Sequence, residues 1–441
     1  MKETVLQFGT GNFLRGFADY FINELNKQGL YGGKIVVVSP TNSKSVDKIN
    51  AQNGKYNLIL RGIENGNEIS SINEINSISR AINPYENFEG FLSLAKNPDL
   101  CFIISNTTEA GICFDDTCKI TDKPASSFPA KLTQFLYQRY EAGLNGFVIF
   151  ACELIDDNGK ELEKCVIKYA EKWELGKDFI TWIKSENTFC NTLVDRIVTG
   201  YPKDEAELIF DEIGYRDNLL DTAEPYHLWV IEGDFEDELT LQKAGFNVIW
   251  TDNVAPYKKM KVRILNGSHT SLVFPSLLCN VETVGESLKD EQLNAFLNTC
   301  IFDYILPMLD DTDEIKSFAN AVLERFSNPY IRHLWKSISL NSVSKFTARV
   351  LPTVNDYIDK KNSMPKPLVF SLACLIEYYK ANEVTDSECV VNYIKNNDIK
   401  SILANTDLWG QELSGMLDIV NESLKKIHRD GIREAIRWSM S

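Results

Sequence analysis

The chain has 441 residues, 44% of them hydrophobic and 24% charged, which are the proportions of a globular protein long enough for two domains. Its formal net charge is −16, and no cluster of lysine and arginine of the nucleic-acid-binding kind occurs, so nucleic acid and anionic membranes are disfavoured as partners. No apolar run reaches the roughly 20 residues of a membrane span, and the first residues lack the order of a signal peptide. We therefore expect a soluble, cytoplasmic protein.

The first 25 residues predict a strand, a glycine turn and a helix. Residues 4–8 form a short β-rich run, Gly9-Thr10-Gly11 follows, and apolar residues recur with helical spacing from Phe13 to Leu25. Further runs predict strands at 34–38, 57–60, 100–105, 146–150, 208–210, 227–231 and 247–250, and helices at 128–141 and 159–173. Apolar strands that alternate with helices are typical of a mostly parallel sheet covered on both faces.

From about Tyr257 the pattern becomes nearly all helical. We place the boundary between residues 247 and 256. The expected fold class is α/β, with an N-terminal Rossmann-like doubly wound sheet at 1–250 that binds a dinucleotide. A mostly α-helical C-terminal domain at 251–441 follows, which we expect to carry the substrate and catalytic residues.

The cysteine and histidine patterns favour neither a disulfide framework nor a zinc site. The ten cysteines are scattered between Cys101 and Cys389 without a C-x-x-C pair, several in apolar stretches, so we expect reduced thiols in the core. Zinc sites commonly take closely spaced Cys and His pairs, whereas the four histidines here are far apart. We expect a mechanism without a metal, with convergence of distant ligands as the alternative.

The glycine turn has two interpretations. A strand that leads through two glycines into a helix lets the backbone approach a pyrophosphate, whose charge the helix N-terminus stabilises. The alternative is an ordinary β–α turn in which glycine supplies unusual dihedral angles. The third glycine of the G-x-G-x-x-G pattern is missing, because Leu14 stands there. The position at the first βα turn of an α/β chain favours the dinucleotide.

The end of the second strand lacks the acid that often binds the ribose hydroxyls in NAD enzymes. It reads Val38-Ser39-Pro40-Thr41-Asn42-Ser43-Lys44, so Asn42 or Ser39 would serve as a neutral partner. A lysine near the adenosine ribose also accepts a 2′-phosphate, which keeps NADP open beside NAD. A plain polar loop is the alternative for each of these residues.

The second chemical candidate lies between Lys258 and Thr270. Lys261, Asn266 and His269 stand at i, i+5 and i+8, which places them on an arc of roughly 140° if the segment is α-helical. Lys258 with the same asparagine and histidine occupies a narrower arc, so the spacing does not choose between the lysines. A solvated basic face is the alternative.

Four segments together resemble the mannitol dehydrogenase family, the polyol-specific long-chain dehydrogenases, and the similarity covers nearly the whole chain. They are residues 7–17, 105–111, 194–197 and 261–269. The family's turn is similar to G-x-G-x-F-x-R, which accounts for Leu14 in place of a glycine. The Lys-x4-Asn-x2-His spacing is that of the family's catalytic segment.

The resemblance implies hydride transfer between a nicotinamide cofactor and a substrate carbonyl carbon, with Lys261 as general acid and base. For this role the pKa of Lys261 has to fall from about 10.4 towards about 7–8, and burial and the neighbouring Arg263 act in that direction. Asn266 would donate to the reacting oxygen, and His269 would orient a substrate hydroxyl or the same oxygen. The implied cofactor-binding residues follow strand ends: Phe8, Gly9, Thr10, Gly11, Asn12, Phe13, Asn42, Asn106, Thr107, Thr108 and Glu109.

Residues 106–111 and 152–159 are most similar to family members that act on keto-uronates, which implies NAD-dependent reduction of D-tagaturonate to D-altronate in hexuronate catabolism. Fructuronate reduction and the oxidation of mannitol or mannitol 1-phosphate stay open. A family asparagine that polarises the reacting oxygen is replaced by Leu154. A uronate carboxylate needs a cation, and the substrate-binding candidates are Asp195 and the cations Arg15, Arg196, Arg263 and Lys345, each with an ordinary ion pair as its alternative.

Overall fold

The computed structural model describes residues 1–108 and 110–441. The chain divides into two compact units. The first comprises Met1–Gly62 with Glu68–Ala255, and the second comprises Ile63–Asn67 with Pro256–Ser441.

Up to residue 254 the chain alternates strands and helices. The strands are β1 (Lys2–Phe8), β2 (Gly33–Val38), β3 (Tyr56–Glu64), β4 (Asn67–Ile75), β5 (Ile78–Ile82), β6 (Phe102–Ser105), β7 (Val148–Ala151), β8 (Thr188–Asp195), β9 (Asp221–Ala223), β10 (Leu228–Glu232) and β11 (Val248–Thr251). The helices are α1 (Asn12–Arg15), α2 (Ala18–Lys27), α3 (Ser45–Ala51), α4 (Phe88–Leu94), α5 (Phe128–Glu141), α6 (Asn158–Lys172), α7 (Lys177–Glu186) and α8 (Ala206–Ile213).

The larger sheet has the strand order β11-β10-β8-β7-β6-β1-β2-β5. Neighbouring strands from β5 to β8 run parallel, whereas β10 is antiparallel to β8 and parallel to β11. β1 lies at the switch point, with β2 on one side and β6 on the other, which is where open α/β sheets bind ligands outside the carboxyl ends of their strands. This order confirms the predicted doubly wound α/β class.

The two buried faces of β2 explain its unbroken apolar sequence. Ile35 and Val37 belong to the core on one face of the sheet, whereas Val36 and Val38 belong to the core on the other. A strand in a sheet that is covered on both sides has no solvent face, so polar residues do not alternate with apolar ones.

Some strand predictions differ from the structure. The strand predicted at 208–210 is wrong, because these residues lie in α8, where Leu208 is exposed and Ile209 and Phe210 are buried. A three-residue apolar run does not distinguish a strand from one helical turn. The strand predicted at 57–60 belongs to a second sheet, of order β4-β3-β9.

The helix predicted from Phe13 to Leu25 is interrupted at Gly16. Arg196 Nη1 donates a hydrogen bond to the Gly16 carbonyl at 2.9 Å, and the Tyr56 hydroxyl donates to the Arg15 carbonyl at 2.7 Å. In a continuous helix these two carbonyls would accept hydrogen bonds from backbone amides of the next turn. Here they accept hydrogen bonds from side chains instead, and the helix is broken.

The rest of the chain is helical. Its helices are α9 (Ala255–Lys261), α10 (Gly267–Leu278), α11 (Val284–Lys289), α12 (Glu291–Asn298), α13 (Asp313–Phe326), α14 (Trp335–Ile338), α15 (Ser342–Arg349), α16 (Leu351–Lys361), α17 (Lys366–Ala381), α18 (Glu388–Asn396), α19 (Ile399–Ala404), α20 (Thr406–Trp409), α21 (Leu417–Asp430) and α22 (Ile432–Ser439). Val262–Asn266 and Thr299–Ile305 are π-helical, and Leu306–Met308 and Ser414–Met416 are 3₁₀ turns. Within the described residues, no helix is long and apolar enough to cross a membrane.

The ten cysteines carry free thiols. The expectation that they lie in the core is wrong for Cys101, Cys113 and Cys389, which are exposed. Cys101 comes one residue before β6 begins, so it lies outside the strand whose residues the sheet covers.

Candidate active site

The carboxyl ends of β1 and β6 lie side by side and bring the glycine turn next to residues 106–108. The Asn106 amide donates to the Phe8 carbonyl at 3.1 Å, and the Gly9 amide donates to the Val38 carbonyl at 3.1 Å. Gly9 has a φ of +139°, and a Cβ there would lie 2.9 Å from the Asn106 carbonyl oxygen. Only glycine fits this backbone conformation and this close approach.

Gly11 leaves open space above the turn. It is exposed and precedes α1, and a Cβ added to it would meet no atom within 4 Å. The hydroxyl of Ser45 donates to Thr10 Oγ1 at 2.8 Å, which ties the turn to the start of α3. Exposed backbone at the start of a helix, with no side chain in the way, fits the pyrophosphate of a dinucleotide.

A buried carboxylate, Glu153, orders the segment that follows β6. The Ser105 hydroxyl donates to Glu153 Oε2 at 3.0 Å, and the Thr107 amide and hydroxyl donate to Oε1 at 3.0 and 3.1 Å. The Asn106 side-chain amide donates to the Cys152 carbonyl at 2.6 Å. Burial raises the pKa of Glu153, although the backbone and hydroxyl donors lower it. Sequence reasoning missed Glu153, which directly precedes Leu154.

The remaining cofactor-binding candidates differ in how far their side chains are exposed to solvent. Thr108 and Asn12 are exposed, and Glu109 lies outside the described residues. The side chain of Phe8 is fully buried in the core, so only its backbone is available to a ligand. Phe13 is half-buried and its ring packs on the core of the first unit.

At the end of β2, Ser39 is not available to a ribose. It is fully buried, and its hydroxyl donates to the Thr41 carbonyl at 2.7 Å. Asn42 is exposed, and its Oδ1 accepts a hydrogen bond from Asn83 at 3.1 Å. Asn42 is therefore an exposed polar side chain at this strand end, together with Thr41 and Lys44.

Arg15 is buried inside the first unit and supports the turn. Its Nη1 donates to the Leu219 carbonyl at 2.9 Å, its Nη2 donates to the side chain of Asn12, and the Asp221 carboxylate lies 3.6 Å from Nη2. These contacts hold α1 in place. The structure therefore corrects the expectation that Arg15 meets a substrate carboxylate, because its guanidinium is engaged within the core.

Two buried carboxylates accompany Arg15. Burial raises the pKa of Asp19 to about 8, although the positive charge of Arg15 lowers it. Burial likewise raises the pKa of Asp221 to about 7, again against the effect of Arg15. The folded protein therefore keeps protons on these groups at pH values where an exposed aspartate has lost them.

Arg196 and Asp195, at the end of β8, are also buried. Arg196 Nε donates to the Glu224 carbonyl at 2.8 Å, its Nη1 donates to Gly16, and the guanidinium stacks over the Tyr20 ring at 4.8 Å. Burial lowers the pKa of Arg196 to about 10. These contacts correct the substrate-binding expectation for Arg196, because its buried guanidinium donates to the carbonyls of Glu224 and of Gly16, which lies between α1 and α2.

The catalytic candidates lie on and on either side of a π-helical turn. α9 ends at Lys261, the π-helix Val262–Asn266 follows, and α10 carries His269. The arc of 140° assumed α-helical geometry and is wrong for this segment. The i→i+5 hydrogen-bond pattern of a π-helix brings Asn266 back one turn above Lys261, so the two residues share one face.

Lys258 lies within electrostatic reach of Lys261. Burial lowers the pKa of Lys258, and the positive charge of Lys261 lowers it further. The two lysines stand one helical turn apart on α9, so the segment holds two half-buried cations.

Arg263 is buried within the helical unit and has two side-chain partners there. Its Nη1 donates to Thr353 Oγ1 at 2.8 Å, and its Nη2 forms an ion pair with the Asp356 carboxylate at 3.0 Å. The structure therefore corrects the substrate-binding expectation for Arg263. The Asp356 carboxylate also offsets the positive charge of Arg263, which the sequence led us to expect would act on Lys261.

His269 is held by aromatic rings. The Phe326 ring stacks on the imidazole with 4.1 Å between centroids, and the His333 and Trp335 rings meet it edge-on at 5.2 and 6.1 Å. Burial lowers the pKa of His333. The rings hold the imidazole plane of His269, a role for His333 and Phe326 that the sequence did not indicate.

Lys345 and Leu154 differ in their surroundings. Lys345, on α15, is half-buried and donates to the Ile338 carbonyl at 2.9 Å. Leu154, where the resemblance places the family's asparagine, is 60% exposed. No polar side chain at this position replaces that donor.

The comparisons with known proteins cover both units. The family model described as the mannitol dehydrogenase Rossmann domain matches residues 3–243, and the mannitol dehydrogenase C-terminal domain matches residues 253–429. An altronate oxidoreductase from Halalkalibacterium halodurans is 40% identical, and the alignment covers 99% of this chain and 93% of that protein.

Two solved structures share the fold. A substrate-free D-sorbitol dehydrogenase superposes with a TM-score of 0.88 at 23% identity, covering 99% of this chain and 95% of that one. The Pseudomonas fluorescens mannitol 2-dehydrogenase in complex with NAD and D-mannitol superposes with a TM-score of 0.74 at 21% identity, covering 99% and 94%. The chain belongs to the mannitol dehydrogenase family.

Alanine substitutions at the two glycines of the turn are expected to act differently. Gly11→Ala should leave the free energy of unfolding within about 0.5 kcal/mol of wild type, because its Cβ enters open space. It should weaken NADH binding by about tenfold or more, because the methyl group occupies the space that a pyrophosphate approaches. Fluorescence titration with NADH and urea unfolding measure the two effects.

Gly9→Ala serves as the comparison. Its Cβ would lie 2.8 Å from Leu14 Cδ1 and 2.9 Å from the Asn106 carbonyl oxygen, so this variant should lose stability. Unchanged NADH affinity in Gly11→Ala would contradict the placement of the pyrophosphate at this turn.

The buried Asp19 should make stability depend on pH. The folded protein keeps the proton to about pH 8, whereas the unfolded chain releases it near the ordinary aspartate pKa of 3.8. The contribution of Asp19 to the free energy of unfolding is therefore fully present below about pH 4 and is lost as the pH rises through about 8. Asp19→Asn removes this loss, so its melting temperature relative to wild type should rise between pH 6 and pH 8.5.

Asp47→Asn is the matched control, because Asp47 lies in the first turn of α3 and is exposed. Its melting temperature should keep a constant difference from wild type over the same range. An Asp19→Asn difference that is equal at both pH values contradicts a buried, protonated Asp19.

Proposed function

We propose that this chain is an NAD-dependent, metal-independent oxidoreductase that reduces the keto group of D-tagaturonate to give D-altronate. The observation that carries the proposal is the 40% identity to an altronate oxidoreductase over 99% of this chain. The geometry supports it, because an open glycine turn at the sheet switch point and a lysine-asparagine pair on one face of a π-turn are both present.

The first unit binds the cofactor in this proposal. Gly11 and the start of α1 receive the pyrophosphate, and Asn106, Thr107 and Thr108 line the crevice beyond β6. Glu153 holds Thr107 through two hydrogen bonds and thereby fixes the shape of the crevice. When bound, the nicotinamide supplies the hydride that adds to the substrate carbonyl carbon.

Lys261 moves the proton in this reaction. As the carbonyl carbon gains a hydride, its oxygen becomes an alkoxide, and Lys261 Nζ donates the proton that completes the hydroxyl group. In the reverse direction the neutral amine takes the same proton from the alcohol. Lys258, whose pKa burial and Lys261 lower, adds a second positive charge near the developing alkoxide.

Asn266 and His269 orient the substrate. Because the π-turn sets Asn266 on the same face as Lys261, its side-chain amide donates to the oxygen that Lys261 protonates. The ring of His269 is fixed by Phe326 and Trp335, so it presents its polar edge to a substrate hydroxyl in one orientation. With Leu154 exposed, Asn266 takes over the polarising role of the missing family asparagine.

We assign NAD as the cofactor, because the loop after β2 begins Ser39-Pro40-Thr41-Asn42 and carries no basic residue before Lys44. Asn42 offers a neutral partner for the ribose hydroxyls, and Lys44 stands two residues further along. We place the enzyme in the cytoplasm, since free thiols fit a reducing compartment.

Lys261→Met should abolish catalysis without abolishing cofactor binding. Loss of the general acid should lower kcat by about 100-fold or more, because positioned acid-base groups contribute about 10²–10⁴-fold. NADH affinity should stay within about twofold of wild type. Steady-state kinetics and fluorescence titration with NADH measure the two quantities.

Lys258→Met is the matched control, because it removes a half-buried lysine one turn away. It should reduce kcat far less than Lys261→Met. A larger loss in Lys258→Met would move the general acid to Lys258, and near-full turnover in Lys261→Met would contradict the proposed mechanism.

A substrate panel tests the reaction. D-Tagaturonate, D-fructuronate, D-fructose and D-fructose 6-phosphate are offered with NADH and then with NADPH, and oxidation is followed by absorbance. We expect the highest kcat/KM for D-tagaturonate with NADH. A preference for D-fructose 6-phosphate would contradict the uronate assignment, and equal use of NADPH would contradict the cofactor assignment.

A further inference from the structure

The structure narrows the choice of cation for a substrate carboxylate. Arg15 and Arg196 are buried among backbone carbonyls of the first unit, and Arg263 is paired with Asp356. Of the four cations that the sequence offers, Lys345 alone has a half-buried side chain that forms no direct ion pair with a carboxylate of the described residues.

Arg349 joins Lys345 on the same face of α15. The two residues stand at i and i+4, so their side chains are neighbours along one side of the helix. Both are half-buried, and across residues 1–108 and 110–441 no carboxylate forms an ion pair with either. Burial lowers the pKa of Arg349. Burial and the charge of Arg349 lower the pKa of Lys345, against the opposing effect of the Asp386 carboxylate.

This pair of cations lies beside the catalytic segment. α15 packs against α10 and against the π-turn. A Cβ added to Gly267, the residue after Asn266, would lie 3.2 Å from the Arg349 carbonyl oxygen. Lys345 donates to the carbonyl of Ile338, on the same short helix that holds Trp335 against His269.

Two like charges at this spacing repel each other, and partial burial removes water that would stabilise them. An anion bound between them relieves both costs. The planar guanidinium of Arg349 suits bidentate contact with a carboxylate, and Lys345 retains two N–H donors after its bond to Ile338.

We propose that Lys345 and Arg349 bind the carboxylate of the sugar-acid substrate and thereby select keto-uronates over neutral ketoses. This inference rests on the proposed function, because a substrate without a carboxylate has no need of the pair. The carboxylate lies at one end of the six-carbon substrate, and the carbonyl that Lys261 protonates lies towards the other end.

The test compares substrates that differ in the carboxylate alone. D-Tagaturonate and D-tagatose are reduced by wild type, Arg349→Gln and Arg349→Lys. In Arg349→Gln the KM for D-tagaturonate should rise by about 10- to 100-fold with kcat little changed, because a hydrogen-bonded ion pair is lost. The kinetics of D-tagatose should be unchanged, and Arg349→Lys should recover part of the affinity because it restores the charge.

Arg332→Gln is the matched control, since Arg332 is an exposed arginine paired with Glu282 in the same unit. It should leave both substrates unaffected. Equal losses for D-tagaturonate and D-tagatose in Arg349→Gln, or no loss for either, overturn the proposed pair.

A binding measurement separates this inference from the proposed function. Calorimetric titration with D-altronate and with altritol, its neutral counterpart, reports carboxylate recognition without turnover. We expect wild type to bind D-altronate more tightly and Arg349→Gln to lose that preference. A preference that survives in Arg349→Gln overturns the pair alone. No preference in wild type overturns the pair and the proposed function together.

Discussion

The backbone contact between Gly9 and Asn106 sets the distance between the two strand ends on which the cofactor crevice is built. A side chain at Gly9 would meet the Asn106 carbonyl at 2.9 Å and force β1 and β6 apart. With glycine present, the Asn106 amide reaches the Phe8 carbonyl, and Thr107 follows in register to meet Glu153. The exposed Gly11, two residues further along, then lies beside the crevice with open space above it.

Buried charge supports this turn from inside the first unit. Arg15 donates to the Leu219 carbonyl, and Arg196 donates to the Gly16 carbonyl beside α1. Asp19 and Asp221 lie close to Arg15 and have raised pKa values. Buried ionisable groups cost free energy unless hydrogen bonds and opposite charges compensate them. This arrangement explains why Arg15 and Arg196, two cations in an acidic protein, have a structural role.

The helical unit carries the three catalytic candidates on and around one irregular segment. The π-turn aligns Lys261 with Asn266, and α10 carries His269 into a set of aromatic rings. α15 packs along the same segment and brings Lys345 and Arg349 to it. The residues that we propose for proton transfer and for charge recognition thus lie on neighbouring elements of a single unit.

Local pattern was enough for the doubly wound sheet, for β1, β2, β6 and β10, and for α5 and α6. These strands are short apolar runs, as expected in a sheet covered on both faces, and the apolar residues of the helices recur with the helical period. It missed β8, whose polar Asn191 and Thr192 are buried through hydrogen bonds to Glu232 and the Ala151 carbonyl. It also pointed to Lys261, Asn266 and His269 through their spacing, which remains a prediction about catalysis.

Tertiary structure decided the break after α1, the π-turn and the partners of each arginine. The donors that interrupt the helix at Arg15 and Gly16 come from Tyr56 and Arg196, 41 and 180 residues away. Arg263 finds Thr353 at a separation of 90 residues. Whether a cation is paired with a carboxylate or is available to a ligand depends on such distant partners. The glycine turn itself is shaped by β6, which begins almost a hundred residues later.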